Sequence, residues 1–319
     1  MTMKAILIDR HGDADVMQYR DTEKPSPKAN EILVQVYATS VNPVDWKIRQ
    51  GDLQAVTGLS FPRGVGSDFA GIVAEVGAKV TRFRIGDAVY GAVNPLMGRA
   101  HAEYVAVSES QAALKPSNMS FAEAAAVPVA AVTALQSLRD LGDIKSGQQV
   151  LINGASGGVG TYAVQVAKAM DTHVTGTCSR ENFELVESLG CDRVLDYRDT
   201  DFTKEGIKYD IIFDAVGKRN FWDCQEALTP NGIYVSTLPS LEDVAASTVT
   251  LLLPGQKAKL VLAQPNGQNL TEIKTLIEVG KIRSIVDSNH ALSDAIAAHR
   301  RSESHRAKGK VVISVLSET

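Results

Sequence analysis

The stretch VLINGASGGVG, Val150 to Gly160, decides the fold of this chain. Its apolar start reads as a strand and its small residues as a tight turn. The following YAVQVAKAM sets apolar side chains at helical spacing, so the segment reads strand, turn, helix. Such a turn can hold a diphosphate. Glycines let the backbone approach phosphate oxygens, and the helix start offers unpaired N–H groups and the positive end of the helix dipole. Against the spacing G-x-G-x-x-G the chain sets Ala155, Gly157 and Gly160, with Gly154 just ahead of the substituted first glycine. The candidate cradle is therefore Gly154, Ala155, Ser156, Gly157, Gly158, Val159 and Gly160. A similar turn arises where a helix merely packs closely on a sheet, so the flanking chain has to decide.

Downstream, strands and helices alternate: HVTGTCS, the helix ENFELVESLG, DRVLDY, YDIIFDAVG, the helix NFWDCQEAL and GIYVST. This is a β-α-β series, expected to form a doubly wound parallel sheet. Upstream, Lys4 to Val107 carries short β-branched runs broken by Gly and Pro, the pattern of a compact barrel-like β domain. It is interrupted by NPVDWKIRQG, Asn42 to Gly51, a short helix with Asn42 as N-cap and Pro43 at its first position. Polar side chains delivered there from a strand end are candidates for a cleft. FAEAAAVPVAAVTALQSLRDLG, between Ser120 and Gly142, reads as the helical crossing between domains. After Leu241 come a helix, the strand AKLVLAQ, the helix TEIKTLIEVG, then IRSIVD, a helix from Leu292 and a last strand KVVISVL.

A length of 319 residues suits two domains. Hydrophobic residues at 44% and charged residues at 22% are those of an ordinary globular protein, so disorder is not expected. With 33 basic and 37 acidic residues the net charge of −4 gives no general attraction to nucleic acid or anionic membranes. Cys178, Cys191 and Cys224 are too few and too scattered for a disulfide framework or a four-cysteine zinc knot, which fits a reducing, cytoplasmic compartment. The start, MTMKAILIDRHG, becomes strand-like at once and lacks the series of a secretory signal. The small-apolar stretch Ala122–Leu135 contains Glu123 and Pro128 and reads as a buried helix pair, not a membrane span.

Which dinucleotide would bind is written at the end of the second strand of the series. A NAD site usually sets an Asp or Glu there to hold the ribose hydroxyls. Here the strand ends Thr177, Cys178, Ser179, Arg180. A hydroxyl followed by a guanidinium suits a 2′-phosphate, which favours NADPH. The alternative is that Ser179 only caps the helix beginning at Glu181, with Arg180 a solvated charge. A shifted turn would also let Glu181 reach the ribose. Tyr197, closing the third strand, is a candidate for the adenosine end, with plain packing as its alternative.

In order, the chain carries NPVDWKIRQG, GVGSDFAGIVAEVGAKVTRFRIGDAVYG, HAEYVAV, AAAVPVAAVTAL, INGASGGVG, LGCDRVLDY, FDAVG and the terminal GKVVI. This series resembles the zinc-independent quinone oxidoreductase branch of the medium-chain dehydrogenase/reductase superfamily, the group that includes zeta-crystallin, over essentially the whole chain. With Lys47 after Trp46 it looks most similar to alkenal/one reductases and chloroplast envelope quinone oxidoreductase homologues; zeta-crystallin-like members carry Tyr where this chain has Lys47. The resemblance implies an α/β architecture: a GroES-like β-rich substrate domain from residues 1–125 and 265–319, and a Rossmann nucleotide-binding domain over 126–264. It also implies a homodimer, which the apolar stretch TVTLLLPG, Thr248 to Gly255, supports independently as a segment suited to cover an edge or the lip of the cleft.

Zinc-dependent relatives bind their catalytic metal at positions that correspond here to Asn42, Ser67 and Val129, none of them a good zinc ligand. Without a Lewis acid an easier acceptor than a simple carbonyl is expected. Quinones and α,β-unsaturated carbonyls meet that condition, since hydride delivery gives a delocalised phenolate or enolate. Asn42, Asp45 and Lys47 are the candidate catalytic residues: Asn42 to donate through its amide, Lys47 to stabilise negative charge. Their alternatives are an N-cap for Asn42, a first-turn carboxylate for Asp45, and for Lys47 a partner of Asp45 or of a cofactor phosphate. Thr133 and the loop Ser236–Pro239, with Thr237 and Leu238, are expected beside the nicotinamide. Lys308 and Lys310, with Arg300, Arg301 and Arg306, form a basic cluster that reads as a solvated helix face; the resemblance implies a basic residue from here near the cofactor phosphates, with His305 and Lys310 as secondary candidates. A non-catalytic NADPH-binding sensor or structural protein of the same fold is the rival reading.

Overall fold

Strand Gln149–Asn153 lies inside a six-stranded parallel sheet whose order is Arg193–Asp196, His173–Cys178, Gln149–Asn153, Tyr209–Asp214, Leu228–Ser236, Lys257–Leu260. Val150, Leu151 and Ile152 are fully buried, as an interior parallel strand requires. The chain builds outward from this strand to one side, then returns to start again on its other side. That reversal leaves a crevice at the carboxyl ends of the strands, above the glycine turn. The helix Gly158–Ala169 follows the turn and buries Tyr162, Ala163, Val164 and Val166. The computed structural model describes residues 1–237 and 240–316. Residues Ala131–Ala263 and Gly280–Arg283 form the unit that carries this sheet.

The second unit comprises Met1–Ala130, Gln264–Val279 and the chain from Ser284. Its main sheet runs Val286–Ala291, Lys310–Ser314, Glu31–Val41, Asp68–Val76, Ala88–Ala92, Ala112–Leu114, with Tyr104–Ser108 also paired to Glu31–Val41. A smaller sheet joins Met17–Glu23, Thr2–Ile8 and Arg63–Gly64. Ile32, Val34, Val36, Phe69, Val73 and Val89 fill one core, and Ile6, Ile8, Val41, Trp46, Val311 and Ile313 another. The fold is thus α/β with a GroES-like unit and a Rossmann-type unit.

Within IRSIVD only Val286 and Asp287 join the sheet, at the start of the strand Val286–Ala291. Ahead of that strand the Gln165 side chain holds the backbone. Its Nε2 donates to the Arg283 carbonyl at 3.0 Å and its Oε1 accepts the Arg283 N–H at 2.8 Å. A backbone satisfied by a side chain has no need of a strand partner.

Candidate functional site

In the Rossmann-type unit the turn is as tight as its glycines suggest. Gly154 has φ of +85°, and a Cβ on Gly160 would stand 2.1 Å from the Gly154 carbonyl oxygen. Gly157 differs. It is the N-cap of the helix, and a Cβ there would meet only that same oxygen, at an ordinary 3.5 Å. The first turn of this helix leaves N–H groups without intrahelical acceptors, so the cradle fits a diphosphate on both sterics and charge.

Three neighbouring strand ends are tied together beside it. Thr177 Oγ1 donates to Asn153 Oδ1 at 2.6 Å and accepts the Gly154 N–H at 3.1 Å. Asn153 Nδ2 donates to Asp214 Oδ1 at 2.9 Å, and the same oxygen takes the N–H groups of Val216 and Gly217. Thr237 donates its N–H to the Asp214 carbonyl at 3.1 Å. Leu238 lies outside the described residues, and Thr133 is buried in the helix Pro128–Leu135. Sequence reasoning gave Asp214 no role, although an Asp closing an apolar strand before a Gly-containing turn is a readable signal.

At the strand ends expected to meet the adenosine, Ser179 Oγ accepts from Asn182 Nδ2 at 3.0 Å. Arg180 is largely exposed and pairs with Asp199 at 3.3 Å. A second guanidinium, Arg198, was missed. Its Nη2 bonds Asp196 Oδ2 at 2.8 Å and Glu181 Oε2 at 3.0 Å, and its Nε bonds Asp196 Oδ1 at 3.0 Å. These hydrogen bonds hold the Asp196 carboxyl well below the usual range. Glu181 is also held low, first by a backbone N–H and then by Ser179, with Arg198 adding to both. Tyr197 is exposed between them.

In the GroES-like unit, strand register builds the polar cluster. Val311 lies opposite Val41 and Asp68 opposite Ser40, so the ends of three strands meet where the helix Pro43–Gln50 begins. Asn42 Nδ2 donates to Asp68 Oδ2 at 2.7 Å, as does Ser40 Oγ, while Asp68 Oδ1 accepts the Val129 N–H at 2.9 Å. Asp45 accepts the Asn42 N–H at 2.8 Å and Ser67 Oγ at 2.6 Å. Burial pushes the Asp45 carboxyl up to about 7, against the pull of these hydrogen bonds. Lys47 is half-buried, its ammonium 5.8 Å from the Trp46 ring centre. Asn42 and Asp45 are thereby brought together, with Ser40, Ser67 and Asp68 as partners that the sequence reading left out.

Lys310, expected at cofactor phosphates, has its ammonium inside this cluster. It donates to the Val41 carbonyl at 3.0 Å and to Asn42 Oδ1 at 2.5 Å, and stands 3.6 Å from Asp68 Oδ2. The cause is register: as the residue before Val311, it starts its strand beside Asn42. His305 packs edge-on against Trp46, ring centres 5.8 Å apart.

The model of the alcohol dehydrogenase GroES-like domain matches residues 28–137, and that of the zinc-binding dehydrogenase family matches residues 189–313. The chloroplast envelope quinone oxidoreductase homolog of Arabidopsis thaliana is 36% identical over 312 residues, 95% of each chain. The chain belongs to the quinone oxidoreductase branch of the medium-chain dehydrogenase/reductase superfamily. The quinone oxidoreductase of Coxiella burnetii superposes with a TM-score of 0.90 at 33% identity, over 99% of this chain and all of the other. The Escherichia coli quinone oxidoreductase, solved with NADPH, gives 0.84 at 27% identity, over 98% and 100%. This chain is an oxidoreductase, and its cradle fits a nicotinamide dinucleotide.

A zinc ion does not fit the donors present. Asn42 is engaged with Asp68 and Lys310, Ser67 with Asp45, and Val129 offers only its backbone. Among the described residues no three His, Cys, Asp or Glu side chains are grouped to hold a metal, and no helix is long and apolar enough to cross a membrane.

Proposed function

We propose that the chain is an NADPH-dependent reductase of quinones, with α,β-unsaturated carbonyls as a second acceptor class. The observation that carries this is the buried cluster around Asn42: an oriented amide where zinc-dependent relatives place a metal ligand. When bound, the reduced nicotinamide supplies a hydride. The protein's share is then to align the acceptor, offer hydrogen bonds to the oxygen that gains charge, and exclude water. Asn42 and Lys47 are the donors for that oxygen, and Asp45 holds the start of their helix. A saturated ketone yields a localised alkoxide, which these donors stabilise less than a metal would.

Preference for NADPH rests on Arg180 and Arg198, two guanidinium groups near Ser179. Glu181 is already paired with Arg198 and so is not free for ribose hydroxyls. The buried free thiols Cys178, Cys191 and Cys224 suit a reducing compartment, cytoplasmic in our reading.

The test is Asn42→Ala. We expect kcat for a quinone to fall about tenfold or more, as for removal of an oxyanion donor, with NADPH affinity retained. Unchanged kcat would overturn the role of the cluster.

A further inference from the structure

We propose that Lys310 is a positioning residue for Asn42: its buried ammonium fixes the orientation of the amide so that a single N–H remains to meet the substrate oxygen. The inference rests on the reductase reading above and assigns a task that lies 268 positions away in sequence from the group it serves.

A side-chain amide has two ends of nearly equal shape and opposite hydrogen-bonding character, and its surroundings must choose between them. Here the choice is forced from both sides. The ammonium of Lys310 has only donors to give, and it stands 2.5 Å from Asn42 Oδ1. The carboxylate of Asp68 accepts, and its Oδ2 stands 2.7 Å from Asn42 Nδ2. Turning the amide over would set NH2 against NH3⁺ and a carbonyl against a carboxylate, replacing two charge-assisted bonds with two repulsions. Nδ2 carries two hydrogens. One goes to Asp68, and the other is the donor left for a ligand.

The walls of this clamp are themselves held. Asp68 is fully buried and also accepts from Ser40 Oγ and the Val129 N–H. Lys310 is 3% exposed, bonds the Val41 carbonyl, and is anchored by the strand register that sets Val311 opposite Val41. Burying an ammonium and a carboxylate is a poor way to gain stability, because desolvation consumes most of their attraction. A fixed, directed amide is what the arrangement yields. It also places an ammonium beside Asn42 without any metal; burial lowers its pKa, and Asp68 and Asp45 oppose that shift.

The test uses Lys310→Met, Asn42→Ala and the double variant, with Lys310→Gln as the version that keeps a donor for Oδ1. The first readout is the side-chain amide signal of Asn42 in protein labelled with ¹⁵N-asparagine, which needs no turnover. We expect one sharp pair of amide protons in the wild type and in Lys310→Gln, and a broadened or doubled pair in Lys310→Met. In turnover of a quinone with NADPH, Lys310→Met should lose about tenfold in kcat, with the dissociation constant for NADPH within about twofold. In the Asn42→Ala background the same change should cost less than about twofold, because its target is gone. An unchanged amide signal in Lys310→Met, an equal loss in both backgrounds, or weakened NADPH binding with intact kcat would overturn the assignment. Should Lys310→Met not fold, a doubled amide pair in Lys310→Gln overturns it equally. If the wild type reduces no acceptor, the reductase reading falls, while the amide signal still reports on the clamp.

Discussion

Arg198 and Arg180, the groups proposed to meet a 2′-phosphate, are engaged unequally. Arg198 is held by Asp196 and Glu181, whereas Arg180 has one long ion pair in solvent. Arg180→Ala should therefore weaken NADPH binding by about 1 kcal/mol or more and leave NADH almost unchanged, as read by titration calorimetry. Equal losses would remove the phosphate anchor. Glu181→Gln should strengthen NADPH binding, since it frees Arg198 from a competing carboxylate. His101 and His299 are both fully buried. Thr39 gives its hydroxyl hydrogen to the Asp68 carbonyl at 2.6 Å, so His101 Nδ1–H donates to Thr39 at 3.0 Å, and His101 Nε2 accepts from His299 Nε2 at 3.2 Å. Protonating His101 at Nε2 breaks this chain, and protonating His299 at its unpartnered Nδ1 buries a charge with no acceptor for the added N–H. Burial pushes His101 down to about 3 and His299 well below its usual value. Their contribution is complete above the unfolded pKa near about 6.5 and is lost as pH falls toward 3. Urea midpoints should drop across that window, with each histidine adding up to about 1.4 kcal/mol per pH unit. A variant with His101→Asn and His299→Gln should show a flatter acid slope.

At the scale of elements, the glycine turn separates stability from binding. Gly160→Ala forces a methyl group against the Gly154 carbonyl and should cost about 2 kcal/mol or more. Gly157→Ala meets no such obstacle and should keep its melting temperature within a few degrees while weakening cofactor binding at least tenfold. Thermal melts with and without NADPH check both. Similar losses of binding with similar losses of stability would mean that Gly157 only packs. This turn was readable because a strand, its small-residue turn and the next helix are contiguous, and the periodicity on each side is local. Other parts were not. Asp68 and Lys310 reach Asn42, and Ser67 reaches Asp45, through antiparallel register among strands far apart in sequence, and nothing at position 310 announces which carbonyls its ammonium will face. Arg198 was hidden for a different reason. It follows its strand, and only a return past Asp196 brings it to Glu181. The backbone at Arg283, ahead of the strand at Val286, likewise depends on a glutamine in another element.

For the whole molecule, the helix Leu241–Leu252 and the chain just after it leave Leu241, Leu251, Leu252 and Leu253 exposed next to the edge strand Lys257–Leu260. Exposed leucines beside an unpaired strand edge favour association with a second copy. We expect a homodimer by light scattering, and a monomer when Leu251 and Leu252 are both changed to Glu; a wild-type monomer would remove that expectation. Chemistry without a metal is checked by following loss of the reduced-nicotinamide absorbance with NADPH and, in turn, a quinone, a conjugated enone and a saturated ketone. We expect rapid oxidation of NADPH by the quinone, measurable oxidation by the enone and none by the saturated ketone. Turnover of the saturated ketone at a comparable rate, or tight NADPH binding with no turnover of any acceptor, would contradict this expectation.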